Sequence, residues 1–291
     1  MKKIISIITP VLNEEKNIFF CYKSVKNFFK YKKDYDYEHI FVDNDSKDKS
    51  RDIISQICNK DKKVKAIFNK KNYKVLPSLF NSYRYTKGDA ILTCYAADMQ
   101  DPLSYLNDFI FNWEKGFEVI SARREHRQED VLMSILKRFY YMIYIFFNLS
   151  KKIRKRNDAY VNSFQLIDSK VKELMLKNNK KYDHIPSLTY AYSDKIYTLN
   201  SNWIKRKKGK SANSFVDYFQ EAFLTIFNYT FFLESFVFIF FQIVIFLLEK
   251  NIYFIFFYTI VNLIFSILIF IIIKNFFIKK IKVKVKKKIN I

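Results

Sequence analysis

Three short clusters hold most of the side chains able to do chemistry: Thr9 to Glu15, Val42 to Ser46, and Ala96 to Pro102. They supply carboxylates and amides, namely Asn13, Glu14 and Glu15, then Asp43, Asn44 and Asp45, then Asp98, Gln100 and Asp101. Oxygen-rich sets of this kind suit a hard divalent cation, which takes one or two carboxylates together with substrate phosphates. The basic runs Lys151 to Arg156 and Lys205 to Lys210 fit an anionic membrane or a lipid phosphate, or are simply solvated lysines. Each cluster also has a plainer explanation: Asn13 and Ser46 as helix N-caps, and Asp101-Pro102 as a helix start. Their common position, each following an apolar run, favours a site.

Those runs are β-branched and short: Ile4–Thr9, His39–Val42, Val64–Phe68, Ala90–Tyr95 and Phe117–Ser121. Helical patterns separate them. Ile18, Cys21, Val25 and Phe28 recur at spacings of three and four, and further helices are expected over Ser46–Cys58, Val75–Tyr85 and Pro102–Trp113. Strands alternating with helices predict an α/β fold with a mostly parallel sheet covered on both faces. Ligands of such sheets bind beyond the carboxyl ends of the strands, where the three clusters fall.

Composition narrows the chemistry. The chain has 291 residues with only three glycines, Gly88, Gly116 and Gly209, far apart in sequence. Phosphate-binding P-loops and dinucleotide fingerprints need clustered glycines for close backbone approach, so both are excluded. Gly209-Lys210-Ser211 imitates the end of a Walker motif, but Ile204 stands where its first glycine belongs. Cys21, Cys58 and Cys94 show neither a metal-ligand spacing nor a disulfide framework. The excess of 51 Lys+Arg over 28 Asp+Glu gives a net charge of +23, in a chain generally rich in Lys, Ile, Asn, Phe and Tyr. Met1-Lys2-Lys3 and the apolar Ile4–Ile8 are too short for a signal peptide and read as a buried first strand.

The last third changes character. Tyr229 to Leu248 and Ile252 to Ile273 are almost wholly apolar, and each is long enough to cross a bilayer as a helix. The short connection Glu249-Lys250-Asn251 makes them a hairpin, so both chain ends are expected on one side. Lys274, Lys279, Lys280, Lys282, Lys284, Lys286, Lys287 and Lys288 follow without an acid, which makes that side cytoplasmic. Phe215, Phe219, Ala222, Phe223 and Ile226 describe an amphipathic helix in the interface, or an extension of the first span. The expected organisation is a cytosolic domain over 1–212, an interfacial helix over 213–228, a transmembrane hairpin over 229–273 and a basic cytoplasmic tail over 274–291. A nucleic-acid partner is not expected, because the lysines gather behind membrane spans.

The clusters carry a resemblance. Pro10-Val11-Leu12-Asn13-Glu14-Glu15 resembles the P-x-Y-N-E-E opening of inverting family 2 glycosyltransferases with the GT-A fold. Val42-Asp43-Asn44-Asp45-Ser46 resembles their V-D-D-G-S turn, and Ala97-Asp98-Met99-Gln100-Asp101-Pro102 resembles A-D-L-Q-D-P. That last segment followed by two apolar spans is similar to the polyprenyl-phosphate glycosyltransferases, the group of bactoprenol glucosyl transferases and dolichol-phosphate mannose synthases. The resemblance implies that Pro10, Leu12, Asn13, Glu14, Asp43, Asp45, Asn72 and Ala97 surround the donor nucleotide. It implies that Asp98, with Gln100, carries Mg²⁺ or Mn²⁺ on the donor diphosphate, and that Asp98, Asp101, Arg123 and Arg127 serve catalysis. Arg206 and Ser211, in an R-x-x-G-x-S element, would join Arg127 at the acceptor phosphate.

The chain departs from the pattern at Ala96, Asn44, Asp45, Lys74, Ser163 and Gln165, where the family has acids, glycines and an arginine. Ser163 in place of an acid bears on the acceptor. A hydroxyl acceptor needs a base, whereas a lipid monophosphate, with a second pKa near ~6, is already anionic at neutral pH. The expected activity is therefore transfer of a sugar from a UDP- or GDP-linked donor to polyprenyl phosphate at the cytoplasmic membrane. The alternatives are transfer to a glycan or lipid hydroxyl, and a nucleotide-sugar-binding membrane scaffold without catalysis. Membrane lipids are expected partners, and assembly with further copies stays open.

Overall fold

The computed structural model describes residues 2–124, 161–178, 185–202, 204, 260, 264 and 283–291. The chain divides into two units, Met1–Glu129 with Lys155–Ala212 and Ile281–Ile291, and Asp130–Arg154 with Asn213–Lys280. Every strand and helix described below belongs to the first. Among the described residues no helix is long and apolar enough to cross a membrane. The apolar runs 229–248 and 252–273 lie outside those residues, apart from 260 and 264.

The first strand, β1 (Lys3–Val11), is followed by α1 (Ile18–Lys30), β2 (Tyr35–Asp43), α2 (Ser50–Lys60) and β3 (Val64–Asn69). Then come α3 (Val75–Ser82), β4 (Ala90–Leu92), α4 (Leu106–Glu114) and β5 (Val119–Arg124). Further along the chain, β6 (Val161–Asp168), α5 (Ser169–Asn178), α6 (Ile185–Ala191), β7 (Ile196–Ser201) and β8 (Val285–Ile289) join the same unit. The sheet order is β7-β5-β6-β4-β1-β2-β3-β8. Its centre, β4-β1-β2-β3, is parallel. β6 enters antiparallel between β4 and β5, and β8 closes the far edge antiparallel to β3.

The expected strands are all present, and the central ones are buried on both faces as a covered parallel sheet requires. Ile5, Ile7, Phe41, Ala66, Ala90 and Leu92 form its core with Ile18, Cys21, Val25 and Phe29 from the inner face of α1. The helix expected over Pro102–Trp113 begins as a 3₁₀ turn, Leu103–Tyr105, before α4. The last residues, expected as part of a basic tail, instead contribute a strand, β8, to the main sheet.

One buried charge inside the sheet is fully partnered. Glu38 accepts from Ser6 Oγ at 2.5 Å, from the Lys87 amide at 2.6 Å and from Lys65, so its buried charge is compensated. Gly88 is required beside this network: a Cβ there would lie 2.5 Å from Ser6 Oγ and 2.6 Å from the Ser6 nitrogen.

His39 is completely buried, with Nε2 2.9 Å from Thr9 Oγ1, and Nδ1 has no hydrogen-bond partner among the described residues. Burial lowers its pKa to about 3, because a second ring N–H would have no acceptor. The unfolded chain takes up this proton near pH 6.5 and the folded chain does not. The stability it supports is therefore complete above pH 6.5 and declines toward pH 3, by about 1.4 kcal/mol per pH unit within that window. Between pH 6.5 and 5 the unfolding free energy should fall by about 2 kcal/mol from this residue. Denaturant titrations of His39→Leu should show a shallower pH slope, and an unchanged slope would remove His39 as the source.

Candidate functional site

The sheet changes direction between β4 and β1: β2 and β3 follow β1 on one side, while β4 lies on the other. Such a switch point opens a crevice beyond the strand ends, bounded by the loops that leave in opposite directions. Here those loops are Leu12–Asn17 after β1 and Thr93–Pro102 after β4, with the 43–46 turn after β2 beside them. The three polar clusters therefore meet at one edge of the sheet.

Side-chain and backbone bonds sew the first two loops together. The Asn13 amide donates to Ser46 Oγ at 2.9 Å, and Asn13 Oδ1 accepts from the Lys47 amide at 2.8 Å. The Glu14 amide donates to Ser50 Oγ at 2.9 Å, and the Glu15 amide to Asp48 at 3.1 Å. Asn13, with a φ of 55°, takes a left-handed conformation that Asn tolerates better than most residues. Pro10 and Leu12 are half-buried beneath this loop.

Asp43 is fully buried. Its carboxylate accepts from Arg51 Nε at 2.6 Å and from the amides of Asp45 and Ser46 at 3.2 Å, so it holds the turn from inside. Asp45 occupies the family's glycine position with a φ of 72°. Lys47 lies 2.7 Å and Arg51 3.0 Å from its carboxyl, and the Lys47 bond leads the effects that hold its pKa below the usual range. Burial disfavours the Arg51 charge, but its bond to Asp43 overcomes this and raises the pKa.

Asn44, where the family has an acid, both gives and takes. Its Nδ2 donates to Asn72 Oδ1 at 2.7 Å, while its Oδ1 accepts from the Tyr73 amide at 3.0 Å and Asn69 Nδ2 at 3.2 Å. An ionised aspartate accepts only, so it would lose the bond to Asn72. Asn72 is exposed and also accepts from the amide of Lys74, whose φ of 68° marks another lost glycine.

The β4 loop turns at Met99, with a φ of 56° and an amide bond to the Ala96 carbonyl at 3.0 Å. Ala97 is buried, and Asp98 and Gln100 are half-buried on the turn. Asp98 Oδ1 accepts from the Gln100 amide at 3.4 Å. Asp101 is buried, and Asn162 at the start of β6 donates to it at 3.3 Å, tying the loop to the incoming strand. Ser163 is half-buried, and its carbonyl accepts from Thr93 Oγ1 at 2.5 Å. Gln165 is buried with both amide ends used, toward Ser121 and Thr189, so a neutral side chain satisfies the place of the family's arginine. Arg123, on β5, is half-buried opposite Val161. Arg127, Arg206 and Ser211 lie outside the described residues.

Sequence reasoning did not single out Arg51 or Asn69. The available signal was an arginine in the first turn of the helix that follows an acidic turn. Cys21 and Cys58 are not nucleophiles here: burial pushes their thiols up to about 12. Among the described residues no group of three or more His, Cys, Asp or Glu could hold a metal ion. Asp98 and Gln100 offer one carboxylate and one amide oxygen, which fits a cation that draws further ligands from a substrate diphosphate.

This arrangement defines an α/β protein whose polar loops gather at the switch point of its sheet. The model of glycosyl transferase family 2 matches residues 6–174, and the chain belongs to that family. Bactoprenol glucosyl transferase of Shigella phage SfX is 33% identical over 126 residues, covering 43% of this chain and 41% of that protein. The chain thus matches about two fifths of that relative's length. An undecaprenyl-phosphate 4-deoxy-4-formamido-L-arabinose transferase of Photorhabdus laumondii is 24% identical over 215 residues, covering 74% of this chain and 64% of its own. Among solved structures, glucosyl-3-phosphoglycerate synthase of Mycobacterium tuberculosis, in complex with Mn²⁺, UDP and glucosyl-3-phosphoglycerate, superposes with a TM-score of 0.51. It covers 77% of this chain and 78% of its own at 14% identity, a likeness of fold.

Proposed function

We propose that the chain transfers a sugar from a nucleotide-sugar donor to a polyprenyl phosphate at the cytoplasmic face of a membrane. The observation that carries this reading is the meeting of the 12–14, 43–46 and 98–101 clusters at the switch point of a family 2 glycosyltransferase sheet. Relatives named for bactoprenol and undecaprenyl phosphate support the acceptor class. The apolar runs 229–248 and 252–273 supply the anchor, and the domain limits 1–212, 213–228 and 229–273 belong to the same proposal, with the segment 274–291 returning its end to the first domain's sheet as β8. Because β8 shares a sheet with β3, any crossing between 229 and 273 must be matched by a return, which supports a hairpin with both ends on one side.

In this reading Pro10, Leu12, Asn13, Glu14, Asn72 and Ala97 surround the nucleotide, and Asp43 and Asp45 shape its turn. Asp98 and Gln100 would hold Mg²⁺ or Mn²⁺, which when bound neutralises charge on the donor diphosphate. Asp101 fixes the loop that presents them through its bond with Asn162. Arg123 and Arg127 serve the phosphates, with Arg206 and Ser211 on the acceptor side. Ser163 offers no carboxylate base, and an acceptor that is already anionic needs none. The protein's task is then to align the two phosphorylated substrates.

Detergent-purified full-length protein, assayed with UDP- and GDP-linked sugars, should label a polyprenyl phosphate and lose that activity on chelation. Polyprenyl alcohol should be inert under the same conditions. Equal transfer to the alcohol would move the acceptor to the hydroxyl class, and donor binding without any transfer would indicate a scaffold.

A further inference from the structure

Position 45 of the 43–46 turn carries a carboxylate where the family has a glycine, while Asn44 is neutral where the family has an acid. Asp45 stands at a φ of 72°, where a glycine rests without cost and an aspartate does so at some expense. Its carboxylate is offset by Lys47 and by Arg51. Lys47 is largely solvent-exposed, so its contribution is screened. Arg51 differs. Its side chain is only 25% exposed, it sits in the first turn of α2, and its guanidinium reaches three elements at once. Nε meets Asp43 Oδ2 at 2.6 Å, while Nη2 meets Asp45 Oδ1 and the Asn69 carbonyl, each at 3.0 Å.

These partners are the end of β2, the turn after it and the end of β3. Asn69 continues the frame: its Nδ2 bonds Asn44 and Ser78, and Asn44 bonds Asn72 and Tyr73. The ladder already pairs the strand ends through Asp43 and Phe68, and the guanidinium ties the 43–46 turn and the Asn69 carbonyl to that paired end. A lysine, with a single point of charge, cannot span the same three acceptors in one plane.

We propose that Arg51 is a positioning residue for the donor nucleotide, clamping Asp43, Asp45 and Asn69 so that the 43–46 turn and the 69–74 loop keep a binding geometry that the left-handed Asp45 would otherwise disturb. This rests on the proposed nucleotide-sugar reading. Arg51 touches no reacting atom, so its loss acts on nucleotide affinity and donor KM, and kcat stays near wild type.

The test is isothermal titration of purified full-length protein with UDP and with GDP, alongside thermal unfolding and steady-state kinetics. Arg51→Lys keeps the charge and should keep the thermal midpoint, yet weaken nucleotide binding roughly tenfold, as loss of a supporting shell typically does. Arg51→Met should weaken it further. Asp45→Gly removes both the strained residue and one of the three partners, so Arg51→Lys should cost less in that background than alone. Wild-type affinity and donor KM in Arg51→Lys would overturn the assignment, as would an equal loss in both backgrounds. A wild-type protein that binds neither nucleotide overturns the donor reading itself and this inference with it.

Discussion

Replacing Asp98 with asparagine is expected to lower metal-dependent sugar transfer by about a hundredfold or more while leaving the fold in place. The expectation follows from how few acids the β4 loop offers. Ala96 stands where a second carboxylate would belong, and Asp101 is buried and engaged by Asn162. In the proposed reading Asp98 is thus the carboxylate on which a cation at the donor diphosphate would depend. Asparagine retains an oxygen for the Gln100 amide, so the turn at Met99 persists, but the negative charge is gone. The loss should fall on kcat with metal present. Nucleotide affinity measured in chelator should be the same in both proteins. Full activity in Asp98→Asn would sink the metal assignment, whereas loss of the cooperative unfolding transition would show that the residue is structural instead.

Much of this site is legible in the order of residues along the chain, and the reasons are local. β1, β2, β3, β4 and β5 announce themselves as short β-branched runs, and the inner face of α1 repeats at helical spacing. Residues that follow such runs must lie at one edge of a parallel sheet, so the position of Asn13, Asp43 and Asp98 is implied by order alone. Pairing between distant segments is not. β6 enters between β4 and β5, a topology that no period reveals. Asp43 reads as a nucleotide ligand by motif, but its carboxylate is turned inward and held by Arg51, eight residues on. Asn44 reads as a lost acid and proves to be the hub of an amide network that only a donor-acceptor side chain can complete. The terminal lysines read as a topology signal, and part of that segment is also a strand.

That strand underlies the second large effect. Deleting residues 283–291 is expected to destabilise the catalytic unit by about 3 kcal/mol or more and to promote aggregation. β3 is buried along its whole length, and β8 satisfies the edge that faces away from β2, pairing Ala66 with Ile289, Ile67 with Lys288 and Phe68 with Lys287. Ile289 packs against the core, and Asn290 Nδ2 donates to the Cys58 carbonyl at 2.7 Å and the Val64 carbonyl at 2.9 Å. This latch joins the last turn of α2 to the start of β3. At its other end the strand accepts from the Lys70 amide through the Lys284 carbonyl at 3.0 Å, so it also steadies the loop that leads to Asn72. Without β8 the apolar β3 edge becomes a template for pairing with another chain. With it, the exposed edge carries Lys286, Lys287 and Lys288, whose charges repel further strands. Asn290 takes a φ of 57°, so Asn290→Ala loses both bonds and adds backbone strain, about 2 kcal/mol in all. Asn290→Gly keeps the backbone relaxed and should recover part of that loss. Thermal unfolding and light scattering of the full-length, truncated and Asn290 proteins measure these effects side by side. A truncated chain with the wild-type midpoint and no added scattering would show that β8 is dispensable to the sheet.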